Sequence, residues 1–151
     1  MSDNVGILIV SHGMMAEGIK DSVNLIMGAA EGIETSSLVA GQDFDSLKED
    51  ILLKVEKLNN GKGVLLFVDL FGASPHNASV FNYPELKEKN INIRVITGMN
   101  LPMILETSAM RGYSSLDELA DTAIQSGKEG IVEAISIIEN AVDVDEEDGD
   151  Y

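Results

Sequence analysis

Residues 8–18, LIVSHGMMAEG, pass directly from an apolar run through one histidine and one glycine into a helical pattern. A second apolar run, GVLLFVD at residues 63–69, is likewise followed by a glycine-containing loop and a helix start. Strands that are covered on both faces of a parallel sheet are almost continuously apolar. Because such runs alternate along the chain with helical periods, the pattern predicts an α/β domain in which these two runs are central strands.

Two weaker segments predict the outer strands of the sheet. Residues 35–40 begin with the polar run Thr35-Ser36-Ser37, and residues 91–96 alternate apolar and polar side chains, as edge strands tolerate. Placing the two apolar strands together gives the order 2-1-3-4, a doubly wound arrangement with right-handed crossovers. The order 1-2-3-4 would bury the polar run and ranks second. We therefore predict a three-layer α/β sandwich around a four-stranded parallel sheet, and the segment 131–138 fits either an extra C-terminal edge strand or a helix.

Helices are predicted between the strands from helical spacing and from capping residues. The first helix, residues 14–27, is expected to direct four side chains to the core: Met15, Ile19, Val23 and Ile26. The expected N-terminal signals of later helices are Asp43, Ser74 with Pro75, Asn100 and a capping box of Ser115 with Glu118. Ser74 in particular is predicted to be a helix cap.

The composition limits the kind of protein. A chain of 151 residues is the size of one domain, and it contains no cysteine, which excludes disulfides and thiolate chemistry. No apolar run reaches the roughly 18 residues of a membrane span, and the start, MSDN, lacks the basic flank of a signal peptide. We therefore expect a soluble, cytoplasmic chain.

The charge is strongly negative, at −16, which disfavours a nucleic-acid partner and favours a basic protein partner. Residues 143–151, DVDEEDGDY, hold six of the acidic residues and no basic one. We predict that they form a disordered acidic tail that is the true end of the chain. The folded domain is then expected to span residues 1–142.

A candidate site is predicted at the carboxyl ends of strands 1 and 3, where the order 2-1-3-4 opens a crevice. His12 follows strand 1, and Asp69 ends strand 3. A nucleophilic imidazole needs one free nitrogen and an acceptor for the other, and Asp69 can be that acceptor. The predicted reaction is phosphoryl transfer through a phosphohistidine, with His12 and Asp69 as the catalytic pair.

Three further residues are predicted to bind the phosphoryl group. Gly13, Gly72 and Ser74 would bring backbone and hydroxyl donors close to an oxyanion beside helix N-termini. We expect neither a cofactor nor a metal. A metal site of His12, Asp69 and His76 has suitable ligand types but lacks a paired-histidine spacing.

A flexible apolar rim is predicted around the same edge from Met14, Phe71 and Met99, which would dock protein partners. Met15 and Met103 are expected to face the core instead. His76 is expected to face solvent or this rim. The alternative for His12 itself is a capping or structural role without chemistry.

Three segments together resemble a known family: LIVSHGMMAEG at 8–18, VLLFVDLFGASPHNAS at 64–79 and TGMNLPMILE at 97–106. The family is the IIA domain of the mannose, fructose and sorbose branch of the bacterial phosphoenolpyruvate-dependent sugar phosphotransferase system. The resemblance implies an α/β domain that is usually a homodimer. It also implies a histidine that accepts phosphate from the carrier protein HPr and passes it to a IIB component, which phosphorylates sugar entering through the membrane components IIC and IID.

The resemblance assigns roles residue by residue. His12 matches the phosphorylated histidine, and Asp69 matches the aspartate that bonds its other nitrogen. Many members carry Trp-Gly-Gly-Ser-Pro where residues 71–75 read Phe-Gly-Ala-Ser-Pro. Family dimers can exchange a C-terminal strand, whereas residues 131–138 fit a helix equally well. The resemblance also implies peripheral association with the membrane permease complex.

Two other functions are kept as alternatives. One is the phosphotransfer subunit of phosphoenolpyruvate-dependent dihydroxyacetone kinase, which shares the fold and histidine but, in that branch, lacks the Gly-x-Ser-Pro signature of residues 72–75. The other is a non-catalytic module that holds a small anion in the same crevice. The sugar, and whether a IIB component is fused or separate, stay open at this point.

Overall fold

The computed structural model describes residues 3–148, in which each of the four strands is followed by one or more helices. The strands are β1 (Gly6–His12), β2 (Ile33–Leu38), β3 (Val64–Val68) and β4 (Ile93–Thr97). The helices are α1 (Met15–Met27), α2 (Phe44–Leu58), α3 (Ser74–Phe81), α4 (Tyr83–Glu88), α5 (Leu101–Met110), α6 (Leu116–Glu129) and α7 (Ala134–Asp148). α4 was not predicted, because it is short and buries only Leu86.

The four strands form one parallel sheet in the order β2-β1-β3-β4, which confirms the predicted topology. The register places Ile9 of β1 between Thr35 of β2 and Phe67 of β3. β1 and β3 are therefore neighbours along the whole of β3, and their carboxyl ends lie side by side.

The core has two layers, one on each face of the sheet. Because side chains alternate along a strand, Ile7 and Ile9 belong to the layer under α1, α5 and α6, while Leu8 and Val10 belong to the layer under α2, α3 and α4. All four side chains are fully buried. A strand covered on both faces needs this continuous apolar run, as the sequence analysis assumed.

Two polar residues of β2, Thr35 and Ser36, are buried and have hydrogen-bond partners. The Thr35 hydroxyl donates to Glu17 of α1, and the Ser36 hydroxyl donates to Asp50 Oδ2 of α2 at 2.7 Å. Each face of the strand therefore receives a carboxylate from the helix that covers it. These hydrogen bonds offset the cost of removing two hydroxyls from water at the edge of the sheet.

Several predicted helix starts are confirmed, and one is wrong. Asp43 accepts a hydrogen bond from the Ser46 amide at 2.7 Å, and Ser115 forms a reciprocal capping box with Glu118. Ser74 is not the cap of α3: the N-cap is Ala73, without a side-chain hydrogen bond, and Ser74 is the first helical residue. The helix starts one residue earlier than predicted, because proline is tolerated at the second position of the first turn as well as at the first.

The predicted core face of α1 is only half right. Val23 is buried and Ile19 packs against the core, whereas Met15 is 47% and Ile26 59% exposed. The two exposed residues lie in the first and last turns of α1, whereas Ala16 in the first turn is fully buried and belongs to the core.

The C-terminal segment is helical. α6 ends at Glu129, and α7 occupies most of the stretch for which an extra edge strand was one expectation, so that expectation is wrong. α7 also crosses the predicted domain boundary at residue 142, and residues 149–151 of the predicted acidic tail lie outside the described residues. None of the described helices combines the length and apolar character that crossing a bilayer requires.

Truncating a buried and an exposed leucine tests how much core packing contributes to the free energy of unfolding. Leu47 of α2 is fully buried, whereas Leu25 of α1 is 87% exposed. We expect Leu47→Ala to lower the free energy of unfolding by about 2–5 kcal/mol, because it leaves a cavity. Leu25→Ala, the matched control, should change it by less than about 0.5 kcal/mol. Urea denaturation of both variants measures this, and equal losses would contradict the assigned burial.

Candidate functional site

The structure brings His12 and Asp69 together at the carboxyl edge of the sheet. His12 is the last residue of β1, and Asp69 directly follows β3. One carboxylate oxygen, Asp69 Oδ2, accepts from the imidazole Nδ1 at 2.7 Å and from the His12 backbone amide at 2.9 Å. The two hydrogen bonds fix both the backbone and the ring of the histidine relative to β3.

The geometry leaves one imidazole nitrogen available for chemistry. Nδ1 faces a carboxylate oxygen and must therefore carry its proton, so the lone pair of the neutral ring lies on Nε2. The His12 side chain is 48% exposed, while that of Asp69 is only 11% exposed. The site therefore presents a nucleophilic nitrogen to solvent above a nearly covered carboxylate.

The charge of Asp69 is set by competing effects. Burial is the largest single influence and on its own raises the pKa of the carboxyl group. The hydrogen bonds from the backbone amide and imidazole of His12, together with the attraction of the ring, outweigh it and lower the pKa below the ordinary value. Asp69 is therefore an anion near neutral pH, ready to stabilise positive charge on the imidazole.

The turn between β1 and α1 differs in detail from the prediction. Gly13 adopts a positive φ of 54°, where a β-carbon would be strained. Its amide donates to the Leu38 carbonyl at 2.8 Å, so it is not free to bind a phosphate, contrary to the expected role. Within residues 3–148, the amides of Met14 and Met15 have no such acceptor. The free donors of this turn are thus one and two residues further along the chain.

The loop after β3 contains the other predicted phosphate-binding residues. Gly72 has a φ of 80°, and its carbonyl accepts a hydrogen bond from the Asn77 side chain at 3.2 Å, which closes the loop onto α3. Ser74 begins α3 and is half-buried. The amides of the first turn of a helix have no partner inside that helix, so they are available to an anion.

The apolar rim is present, but one predicted member is wrong. Met14 is 64% and Phe71 73% exposed, whereas Met99 is only 5% exposed and packs in the core. The Met99 amide donates to the Val68 carbonyl at 3.1 Å, so the backbone pairing continues past the end of β4 and directs the side chain inward. Sequence reasoning missed Val39 and Leu70, which are exposed directly after Leu38 and Asp69.

His76 does not join the pair. Its ring lies 4.8 Å from that of Phe71, and its Nδ1 is 3.1 Å from Asn77 Oδ1. In the region that the structure describes, no three histidine or carboxylate side chains lie close enough together to hold a metal ion.

The candidate site is open rather than enclosed. Three cavities of about 680, 330 and 150 Å³ in the described part of the chain are lined by other residues, and neither His12 nor Asp69 lines any of them. Small-molecule sites are usually concave and bury most of their ligand. An exposed imidazole on a rim with apolar residues fits a reactant that is presented by another protein.

Comparison with known proteins agrees with the family resemblance found in the sequence. The family model for the PTS system fructose IIA component, EIIA-man, matches residues 6–124. The chain is 33% identical over 128 residues to the mannose-specific EIIAB component of Escherichia coli K12, an alignment that covers 84% of this chain and 38% of that protein. It is 25% identical over 115 residues to the fructose-specific EIIA component of Bacillus subtilis, covering 76% of each. The chain thus spans little more than a third of the mannose-specific relative.

Solved structures of phosphotransferase-system IIA proteins also superpose on this chain. EIIA from Streptococcus agalactiae superposes with a TM-score of 0.79 at 30% identity, over 87% of this chain and 98% of that one. The mannose/sorbose-specific IIA subunit from Enterococcus faecalis superposes with a TM-score of 0.75 at 25% identity, over 86% and 94%.

The lowered pKa of Asp69 predicts a pH-dependent stability. A carboxyl group whose pKa is lower in the folded state than its ordinary value of 3.8 stabilises the fold fully above that value and loses this effect as the pH falls through the folded value. We expect the difference in free energy of unfolding between wild type and Asp69→Asn to shrink as the pH falls below about 3.8. Urea denaturation at a series of pH values tests this, and a constant difference would contradict it.

Proposed function

The chain belongs to the EIIA-man family of the sugar phosphotransferase system, and from this premise we propose that it carries a phosphoryl group on His12 Nε2 during sugar uptake. Family membership gives the chain a general role in phosphotransfer. The observation that carries the finer proposal is the 2.7 Å contact between His12 Nδ1 and Asp69 at an exposed edge of the sheet. The donor is HPr, and the acceptor is a IIB component.

In the first step, the Nε2 lone pair attacks the phosphorus of the phosphorylated donor. The N–P bond of the donor breaks, and its electron pair stays on the donor imidazole. Positive charge grows on the His12 ring as the new N–P bond forms, and the buried carboxylate of Asp69 stabilises it while holding the Nδ1 proton. In the second step, a nucleophile of the acceptor attacks the same phosphorus, and the Nε2–P bond returns its electrons to His12.

The transferring phosphoryl oxygens need donors that are fixed before the reaction. We assign this role to the free amides of Met14 and Met15 at the start of α1, and to Gly72 and Ser74 at the start of α3. Gly13 shapes the turn but donates no hydrogen bond to the phosphoryl group, because its amide is bound to the Leu38 carbonyl. Since α1 and α3 pack on opposite faces of the sheet, this assignment places a helix N-terminus on each side of the group, which would favour its negative charge.

The surface around His12 supports successive docking of two protein partners. Met14, Phe71, Leu70 and Val39 expose apolar side chains at the edge where His12 lies. Flexible apolar side chains can repack against unlike partners, and the net charge of −16 favours basic ones. The IIA domain is proposed to span residues 1–142 and to act in the cytoplasm, at the cytoplasmic side of the IIC and IID components.

A homodimer is proposed from the exposed C-terminal segment. Residues 131–142 are exposed throughout, and within α7 the exposed residues include Ile135 at 59%, Ile138 at 59% and Val142 at 50%. Their spacing of three and four residues places them on one side of the helix. The open edge of β4 adds unpaired backbone groups that a second copy can cover.

Phosphate labelling tests the proposed carrier role. With phosphoenolpyruvate, enzyme I and HPr, we expect the wild type to gain an acid-labile, base-stable phosphate that His12→Ala abolishes. His76→Ala, which changes the second of the two histidines, should keep the label. Asp69→Asn should slow labelling by about tenfold or more, because the ring loses its fixed proton and counter-charge. A wild type without label would favour the anion-binding module instead.

Light scattering tests the proposed homodimer. The double substitution Ile135→Ser with Ile138→Ser should shift the protein from dimer to monomer, because it removes the apolar face of α7. Leu53→Ser on α2 is the matched control, since Leu53 is 57% exposed and lies outside this face. A monomeric wild type at about 100 times the concentration used for transfer assays would rule out the dimer.

A further inference from the structure

Ser11 is fully buried directly before His12 and touches both ends of the turn that carries the histidine. Its Oγ accepts the Ala16 amide proton at 2.7 Å, and its hydroxyl donates to the Gly13 carbonyl at 3.4 Å. A single side chain from the strand therefore connects β1, the turn and the first turn of α1.

The start of α1 depends on this contact, because the helix has no ordinary cap. Met14 occupies the N-cap position, with φ of −94° and ψ of 13°, and forms no capping hydrogen bond through its side chain. A serine hydroxyl at an N-cap normally accepts an amide of the first helical turn. Ser11 performs the same role from outside the helix, three residues before the N-cap.

Strand alternation explains why neighbouring residues can serve two different layers. Ser11 lies on the same face of β1 as Ile9, under α1, whereas His12 lies on the face of Val10, toward the loop that follows β3. Each residue of the turn then has its own anchor. Ser11 holds α1, His12 binds Asp69, and the Gly13 amide binds the Leu38 carbonyl.

The choice of amide matters for chemistry. Ser11 Oγ accepts a hydrogen bond from the Ala16 amide, whereas the amides of Met14 and Met15 have no acceptor within the described residues. We propose that Ser11 is a positioning residue for phosphoryl transfer, whose hydroxyl holds the first turn of α1 so that these two amides face the phosphoryl group on His12. This inference rests on the proposed phosphorylation of His12.

Three variants and a control test the role of Ser11. Ser11→Ala removes the acceptor, and we expect the kcat of phosphoryl transfer to fall about tenfold with KM within about twofold, because only the positioning of the donors is lost. Ser11→Thr keeps the hydroxyl and should restore kcat to within about threefold of wild type. Ser11→Cys serves in its place if Ser11→Ala does not fold, with the same expected loss, since a thiol is a weak acceptor.

The control separates positioning from stability. Thr107 is also fully buried, and its hydroxyl donates to the Met103 carbonyl at 2.8 Å within α5. Thr107→Val should lower the thermal midpoint about as much as Ser11→Ala does, but it should leave kcat unchanged. As an independent readout, the amide resonances of Met14 and Met15 should shift on phosphorylation of the wild type, and by less than half as much in Ser11→Ala.

The outcomes distinguish this inference from the proposed function. No phosphate on wild-type His12 would remove the proposed function and this inference with it. Normal labelling of the wild type, together with an unchanged kcat in Ser11→Ala, would overturn the role of Ser11 alone. A folded Ser11→Thr variant that is as slow as Ser11→Ala would do the same.

Discussion

The site depends on one carboxylate oxygen. Asp69 Oδ2 accepts both the backbone amide and the imidazole Nδ1 of His12, so it joins the end of β3 to the end of β1 through two bonds to one residue. The ring cannot rotate without losing the shorter of these bonds, and its proton cannot move to Nε2 while Nδ1 faces an anion. Orientation, tautomer and counter-charge therefore share one cause. That cause exists only because β1 and β3 are adjacent.

The topology could be predicted because it depends on a local property, the apolar content of each strand, which differs clearly from strand to strand. Two continuously apolar strands had to lie inside, and two mixed ones outside, which is enough to fix the order β2-β1-β3-β4. Caps such as Asp43 and Ser115 were predictable for a similar reason, since each contacts an amide three residues away. The start of α3 was not, because Ser74 and Ala73 compete for one position and the surrounding loop decides between them.

The pairing of His12 with Asp69 followed from the topology, but the donors around it did not. Gly13 and Met99 were assigned roles as if their backbone and side chain were free, yet Leu38 and Val68 bind their amides. Both contacts join a turn to the end of a neighbouring strand. The local sequence of neither turn indicates that its amide will bind such a carbonyl. Ser11 escaped notice for the same reason, since its role lies five residues away across the turn.

A phosphoryl carrier must bind its group firmly enough to accept it and weakly enough to release it. A deep pocket would favour the bound state and slow the second step, whereas an exposed imidazole leaves the phosphorus accessible to the next nucleophile. The proposed mechanism meets this requirement by dividing the two tasks. In it, the fixed groups, Asp69, Ser11 and the helix N-termini, act on the ring and its phosphoryl group in both steps alike. The apolar rim and the acidic surface are proposed to act only on the partners, so that either partner can leave without disturbing the groups that hold the phosphate.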